Sequence, residues 1–145
     1  MPTETSTVYL DRLLENSWID MSESFVWDEQ SVTVQDVKDF LFAKKDGTKI
    51  PYGDNWQHPH GKKDKNFHIS RVAYFVQHPE EITGIDVDNV CDNGYITSVT
   101  IVTDGRHRLM AAYIAGLKYV EINYSGRMDV LEYLMGIRDE EDLED

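Results

Sequence analysis

The sequence predicts an α/β (α+β) fold in which helices surround a small mixed sheet, because segments of strand character alternate with segments of helical periodicity. Strands are predicted at 85–90, 96–103 and 118–124, and helices at 34–45, 67–78, 106–115 and 128–137. A length of 145 residues with 41% hydrophobic residues suits one domain built on one core. We therefore predict a single domain over residues 1–137, followed by an acidic tail over residues 138–145 that is either disordered or a solvated helix end.

The first 27 residues carry weaker patterns. Residues 1–7 are polar, and we expect them to be frayed. The apolar side chains between residues 8 and 18 have the spacing of a short helix, although residues 8–10 suit an edge strand equally well. Residues 18–27 are expected to form an irregular or extended segment with aromatic anchors.

The helix predicted at 34–45 has the clearest start signal. Thr33 is a good N-cap, and Asp36 stands three residues further on, close to a capping-box pattern. The following segment, 46–66, holds several glycines and prolines and is long for a loop, so we predict a functional or mobile segment. It contains the densest basic cluster of the chain, at residues 62–65, which either closes over bound phosphates as a lid or is a solvated loop.

Charge and composition bound the classes of function. The formal net charge is −13, which opposes a general DNA-coating role, so we expect no direct DNA binding. A single cysteine, Cys91, excludes an internal disulfide and suits a reducing compartment. No apolar run has the length of a membrane helix, and residues 1–22 lack a signal-peptide pattern. We therefore expect a cytoplasmic protein without membrane contact.

The junction between strand 96–103 and helix 106–115 is the strongest candidate site. A helix start exposes unpaired backbone N–H groups and the positive end of the helix dipole, so anions bind there. A glycine allows close approach of the backbone and positive φ, and arginine side chains can form paired hydrogen bonds with phosphate oxygens. The alternative is an ordinary connection with solvated arginines. The residues at this junction are Asp104, Gly105, Arg106, His107 and Arg108.

These five residues, followed by a helix of small residues and Gly116, resemble the Gly-x-His-Arg or Gly-x-Arg-Arg signature of the ParB/sulfiredoxin superfamily. The specific match covers about twenty residues, and a looser similarity in element order extends over residues 68–136. The resemblance implies a phosphate site between a strand and a helix, with Gly105, Arg106 and Arg108 as its phosphate-binding residues. The chain looks like a small stand-alone member of the kind found in phages and plasmids.

Two departures limit what the resemblance implies. Sulfiredoxin has a catalytic cysteine before the His-Arg pair, and Arg106 occupies that position here, while Cys91 lies well upstream. ParB partition proteins carry further helix-turn-helix and dimerisation domains, for which this chain has no room. The resemblance therefore implies the fold and a phosphate site rather than sulfinic-acid reduction or DNA partition.

Four further residues are candidates for the rim of the site. His68 and Arg71 lie three apart on the helix predicted at 67–78 and so project from neighbouring positions. Related stand-alone proteins show a similar His-x-x-Arg upstream of their phosphate strand, and the alternative is a pair of surface residues on an amphipathic helix. Lys62 and Lys63 belong to the basic cluster of the preceding loop.

His107 and Asp104 are the candidate catalytic residues. His107 is suited to contact a phosphate, to act as a general acid or base, or to pack under the turn. Asp104 is the first candidate ligand for a Mg²⁺ ion bound with a nucleotide, and it is equally suited to cap the helix. We expect no structural metal site, because His58 and His60 have no further cysteine or histidine at finger spacing.

Two functions from different classes follow from these observations. The first is a nucleotide-binding protein that holds phosphates at residues 104–108, as an NTP hydrolase, a phosphotransferase or a nucleotide-gated switch. The second is a non-enzymatic acidic protein that mimics nucleic acid or binds a basic protein partner, consistent with the net charge of −13.

Overall fold

The computed structural model describes residues 4–43, 65–90 and 94–143, and within them it confirms the predicted α+β class. In chain order the elements are β1 (Glu4–Tyr9), α1 (Leu10–Asn16), β2 (Phe25–Trp27), β3 (Gln30–Val32), α2 (Val34–Ala43), α3 (Lys65–Gln77), β4 (Ile85–Val90), β5 (Ile96–Asp104), α4 (Arg106–Ile114), β6 (Tyr119–Ser125) and α5 (Met128–Leu134). Two 3₁₀ turns, Pro79–Glu81 and Glu140–Asp142, complete the described part of the chain. The strands and helices predicted after residue 33 are therefore present, with bounds shifted by a few residues.

The main sheet is mixed and has the strand order β1-β6-β4-β5. β4 and β5 pair antiparallel, and α4 then returns the chain so that β6 lies parallel to β4. β5 is an edge strand whose last residue, Asp104, pairs with Asp86 of β4. The turn into α4 therefore lies beside the first residues of β4.

The N-terminal segment differs from its prediction. Residues 4–7 are not frayed, because β1 pairs antiparallel with β6 over its whole length, from Glu4 opposite Tyr124 to Tyr9 opposite Tyr119. Both alternatives for residues 8–10 hold in part, since the strand ends at Tyr9 and α1 begins at Leu10. The polar composition of β1 conceals a strand whose hydrogen-bonding partner lies more than one hundred residues away in the sequence.

A hairpin begins in the segment expected to be irregular or extended, and its first strand, β2, agrees with the extended alternative. β2 and β3 pair antiparallel and are joined by a two-residue turn, Asp28 and Glu29, with Trp27 opposite Gln30. Both turn residues have positive φ, 50° at Asp28 and 66° at Glu29. Such turns favour Asn and Gly, so the Asp-Glu pair gave little turn signal in the sequence.

The predicted capping box of α2 is confirmed. The Asp36 N–H donates to Thr33 Oγ1 at 3.0 Å, and the Thr33 N–H donates to Asp36 Oδ2 at 2.9 Å. Lys65, which sequence reasoning placed in the basic loop, begins α3 and forms an ion pair with Asp36 at 3.3 Å. This residue of the basic cluster therefore joins the starts of α2 and α3.

One hydrophobic core contains side chains from the main sheet and from the helices that pack against it. Ile85 and Val87 of β4 are buried beneath α4, whose residues Leu109 to Ala112 are inaccessible to solvent. β1, α1, β6, α3 and α5 also contribute buried apolar side chains to the same cluster. The start of α4 is therefore fixed by packing immediately C-terminal to it.

The acidic tail is anchored as far as it is described. Arg12 Nη1 donates to the backbone oxygens of Tyr133 and Arg138 at 2.7 and 3.0 Å, and Leu143 packs against the core. This differs from the expectation of a disordered tail or a solvated helix end, because one apolar residue and one arginine hold the segment. In the described ranges, no helix is long and apolar enough to cross a membrane.

Candidate functional site

The turn between β5 and α4 is built on Gly105. Gly105 is the N-cap of α4 with φ 95°, as the sequence predicted for a position that needs positive φ. The first backbone bond of the helix runs from the Leu109 N–H to the Gly105 oxygen at 2.9 Å. The amides of residues 106–108 precede that bond, so they are the helix-start donors that have no acceptor within the helix.

Packing against β4 also requires glycine at position 105. A Cβ atom there would lie 3.0 Å from the Ile85 Cα and 3.3 Å from its Cγ1. Side chains rarely approach backbone so closely, and the positive φ is unfavourable for an L-residue in any case. Gly105 therefore sets how closely the start of α4 approaches the sheet.

Asp104 stabilises the turn but does not cap the helix. Its Oδ1 accepts the N–H of Gly105 at 2.9 Å, and in the described residues no side chain caps the start of α4. The predicted capping role is therefore wrong: Asp104 is the last residue of β5, and Gly105 occupies the N-cap position. Its predicted roles in catalysis and in Mg²⁺ binding remain predictions.

Arg106 and Arg108 pack against different elements. The exposed Arg106 holds its guanidinium 5.6 Å from the ring centroid of Phe25 on β2, and Arg108 lies 5.1 Å from that of Phe75 on α3. The Nε of Arg108 is buried and has no hydrogen-bond partner among the described residues. A buried donor without an acceptor is costly, so an anion at this position would be stabilised by it.

The structure brings together His107 and His68, which the sequence separates by 39 residues. Nε2 of His107 lies 2.9 Å from Nδ1 of His68, and Nε2 of His68 lies 2.9 Å from Oδ2 of Asp28. His68 is buried, with 2% of its surface exposed, whereas 56% of the Asp28 side chain is exposed. The three side chains form a hydrogen-bonded row from the surface hairpin through α3 to the start of α4.

Trp27 covers this row. Its ring centroid lies 4.1 Å from that of His107 and 5.4 Å from that of His68, with interplanar angles of 12° and 16°. The two imidazole planes are themselves inclined by only 12°. The indole is therefore stacked on the pair and shields it from one side.

Sequence reasoning missed Asp28 and Trp27. Trp27 was interpreted only as an aromatic anchor at the core edge, and Asp28 was not considered. The available signal was an aromatic-carboxylate pair next to a turn, which is too common to indicate a site. Asp28 and His68 are separated by 40 residues, so their contact exists only in the tertiary structure.

The remaining predicted rim residues have different positions. Arg71 lies on α3, one turn after His68, with its guanidinium 5.1 Å from the Phe67 ring centroid. Lys62 and Lys63 lie outside the described residues, as do Cys91 and most of the predicted basic loop.

Metal ligands do not converge in the described part of the chain. It contains no group of three or more His, Cys, Asp or Glu side chains arranged to hold a metal ion. The ring nitrogens of His68 and His107 instead contact each other at 2.9 Å.

A cleft of about 700 Å³ lies elsewhere, between the loop after α1, the first turns of α2, and Tyr113 of α4. Its polar lining includes Asp20, Ser22, Gln35 and Lys38, and residues 104–108 do not line it.

Comparisons of the chain with models of known protein families, with curated proteins and with solved structures found no match.

Proposed function

We propose that the protein binds a nucleotide or another phosphorylated small molecule, with the phosphates at the start of α4. The observation that carries the proposal is the contact of His68 with His107 at 2.9 Å. It joins a predicted rim residue of α3 to the helix start that bears Arg106 and Arg108. The helix-start amides, the glycine and the arginines of the motif, together with His68 from α3, therefore all support a phosphate site at the start of α4.

The electrostatics of this place favour an anion. The start of α4 offers backbone N–H groups and the positive end of a nine-residue helix. Arg106 and Arg108 flank His107 in the sequence, and the buried Nε of Arg108 lacks a hydrogen-bond acceptor among the described residues. Phosphate oxygens supply such acceptors, and the hydrogen bonds they form with guanidinium groups are charge-assisted.

The reaction that fits this site best is phosphoryl transfer, to water or to a hydroxyl group. Positioning and charge stabilisation supply most of the catalysis in such reactions, with Mg²⁺ bound to the phosphates. We assign His107 the role of general acid or base, and Asp104 at the turn is the candidate ligand for Mg²⁺. The resemblance of residues 104–108 to the ParB/sulfiredoxin signature supports the same assignment of the phosphates.

Titration calorimetry with ATP, GTP, CTP and UTP, each with and without Mg²⁺, tests the proposal. Arg108→Ala should weaken binding about tenfold to a hundredfold, because one charge-assisted hydrogen bond contributes about 1.5–3 kcal/mol. Arg108→Lys should recover only part of this loss, since lysine keeps the charge but not the planar donor fork. Lys118→Ala, which removes one exposed charge beyond the other end of α4, is the matched control and should leave binding unchanged.

A second candidate is a non-enzymatic acidic protein that binds a basic partner. It is favoured by the net charge of −13 and by the four consecutive exposed acidic residues at 139–142. Absence of binding to all four nucleotides, together with salt-sensitive binding to a basic protein, would support this candidate and reject the first.

A further inference from the structure

We propose that Asp28, His68 and His107 form a hydrogen-bond relay that keeps the proton of His107 on Nε2 and makes its Nδ1 the proton acceptor of the site. The inference deepens the proposed function and rests on it for the identity of the substrate, a phosphate ester or anhydride. Asp28 and His68 are positioning residues in this scheme, and Trp27 stacks on His68 and His107. Neither Asp28 nor Trp27 belongs to the sequence motif.

The hydrogen-bond chain fixes where the ring protons lie. A carboxylate only accepts hydrogen bonds, so Nε2 of His68 donates to Asp28 across the 2.9 Å contact. A neutral imidazole that donates from one nitrogen accepts at the other, so Nδ1 of His68 accepts a hydrogen bond from Nε2 of His107. His107 then carries its proton on Nε2 and its lone pair on Nδ1.

Burial strengthens this arrangement. His68 is almost fully buried, and Trp27 stacks within 4.1 Å of the His107 ring centroid. Hydrogen bonds in such a low-dielectric environment are stronger than in water, and chains of them polarise one another. A positive charge that develops on His107 is therefore stabilised through His68 by the carboxylate of Asp28.

The hairpin turn holds the Asp28 carboxylate against Nε2 of His68. Both Asp28 and Glu29 have left-handed backbone conformations, where glycine or asparagine would be less strained. Such strained positions persist where the surrounding structure or the function requires them. At position 28, a side chain that reaches His68 gives a reason for aspartate in place of glycine.

Hydrolysis of the phosphate ester or anhydride needs no reactant other than water. As the oxygen of water forms a bond to phosphorus, Nδ1 of His107 takes a proton from that oxygen. The bond from phosphorus to the leaving oxygen breaks, and the leaving group keeps the electron pair. The proton on His107 passes to the leaving group or to solvent, and the enzyme returns to its starting state.

NMR of the protein labelled with ¹⁵N-histidine tests the relay directly, because imidazole nitrogens with and without a proton differ in chemical shift. In the wild type, His68 and His107 should both carry their proton on Nε2. Asp28→Asn should shift both histidines towards a mixture of tautomers, since an amide both donates and accepts. Asparagine also tolerates the left-handed conformation, so the turn is retained.

Glu29→Gln is the matched control, because it removes one charge from the same turn at a residue outside the row. It should leave both tautomers as they are in the wild type. The relay is rejected if His107 carries its proton on Nδ1 in the wild type, or if Asp28→Asn leaves both histidines unchanged.

Phosphate release from ATP, GTP, CTP and UTP with Mg²⁺ tests the catalytic role. Asp28→Asn should lower kcat about 10²–10⁴-fold with little change in KM, the range for general acid–base catalysis, while Glu29→Gln keeps the wild-type rate. Nucleotide binding without this loss of kcat rejects the role of the relay alone. If none of the nucleotides binds to the wild type, the proposed function fails and the base role fails with it, while NMR still decides whether Asp28 fixes the tautomers.

Discussion

At the scale of single residues, Gly105 determines the geometry of the site. Its positive φ turns the chain from β5 into α4, and its missing side chain lets that turn approach Ile85 of β4. The sequence motif alone suggested that the glycine serves the approach of a phosphate. The structure adds a packing reason that holds whether or not a phosphate binds.

We predict that Gly105→Ala lowers the free energy of unfolding by more than Gly116→Ala does. Both glycines have positive φ, which costs an L-residue about 1–2 kcal/mol. A Cβ at position 105 would also press on the Ile85 backbone, whereas one at Gly116 meets no atom of the described residues within 4 Å. Urea denaturation of the two variants measures the difference, and an equal loss in both would show that the contact with Ile85 is unimportant.

At the scale of secondary-structure elements, α2 begins with the capping box that the sequence predicted. The Thr33 N–H holds the pKa of Asp36 below its usual range, and Lys65 of α3 adds to the same effect. A lowered pKa in the folded state means that Asp36 stabilises the protein above the unfolded pKa of about 3.9. That contribution is lost as the pH falls through the lower, folded-state pKa.

We expect Asp36→Asn to lower the free energy of unfolding at pH 7 by about 1 kcal/mol, a usual value for a capping interaction. The difference from the wild type should narrow as the pH falls below about 4, because the wild-type carboxyl is then also neutralised. Asp39→Asn, in the same helix, is the control and should give a small difference without this narrowing. Thermal unfolding followed between pH 3 and pH 7 checks the prediction, and a constant difference for Asp36→Asn would contradict it.

At the scale of the whole molecule, the charged residues are unevenly distributed. The chain carries a net charge of −13, yet α4 begins with Arg106, His107 and Arg108, and His68 contacts His107 there. A small anion can reach a local positive site, whereas a long polyanion must also approach the surrounding carboxylates. This contrast separates nucleotide binding from DNA binding.

We therefore predict no specific complex with duplex or single-stranded DNA in gel shifts at about 0.1 M salt. Repulsion between the acidic surface and the phosphate backbone opposes association at that ionic strength, where the Debye length is about 10 Å. A tight, sequence-selective shift would contradict the prediction. The same protein preparation should be tested for nucleotide binding, so that a negative result is not due to unfolded protein.

The elements predicted from the sequence are those with local causes. Thr33 and Asp36 lie three residues apart, and their capping box is present because each supplies the other's hydrogen bond within one turn. The run of β-branched residues in β5, the Asp104–Gly105 turn and the buried stripe of α4 likewise follow from neighbouring residues. These signals also identified the start of α4 as the candidate site.

Contacts between residues that lie far apart in the sequence could be found only in the tertiary structure. Residues 4–7 were predicted to be frayed, but they belong to β1 and pair with β6, where the Thr5 hydroxyl donates to Asn123 Oδ1. Asp28 reaches His68, and His68 reaches His107, across gaps of 40 and 39 residues. A hydrogen bond between side chains so far apart leaves no periodic pattern in the sequence. The sequence by itself thus determined the helix start that bears the arginines, and folding placed beside it the carboxylate, the second histidine and the indole.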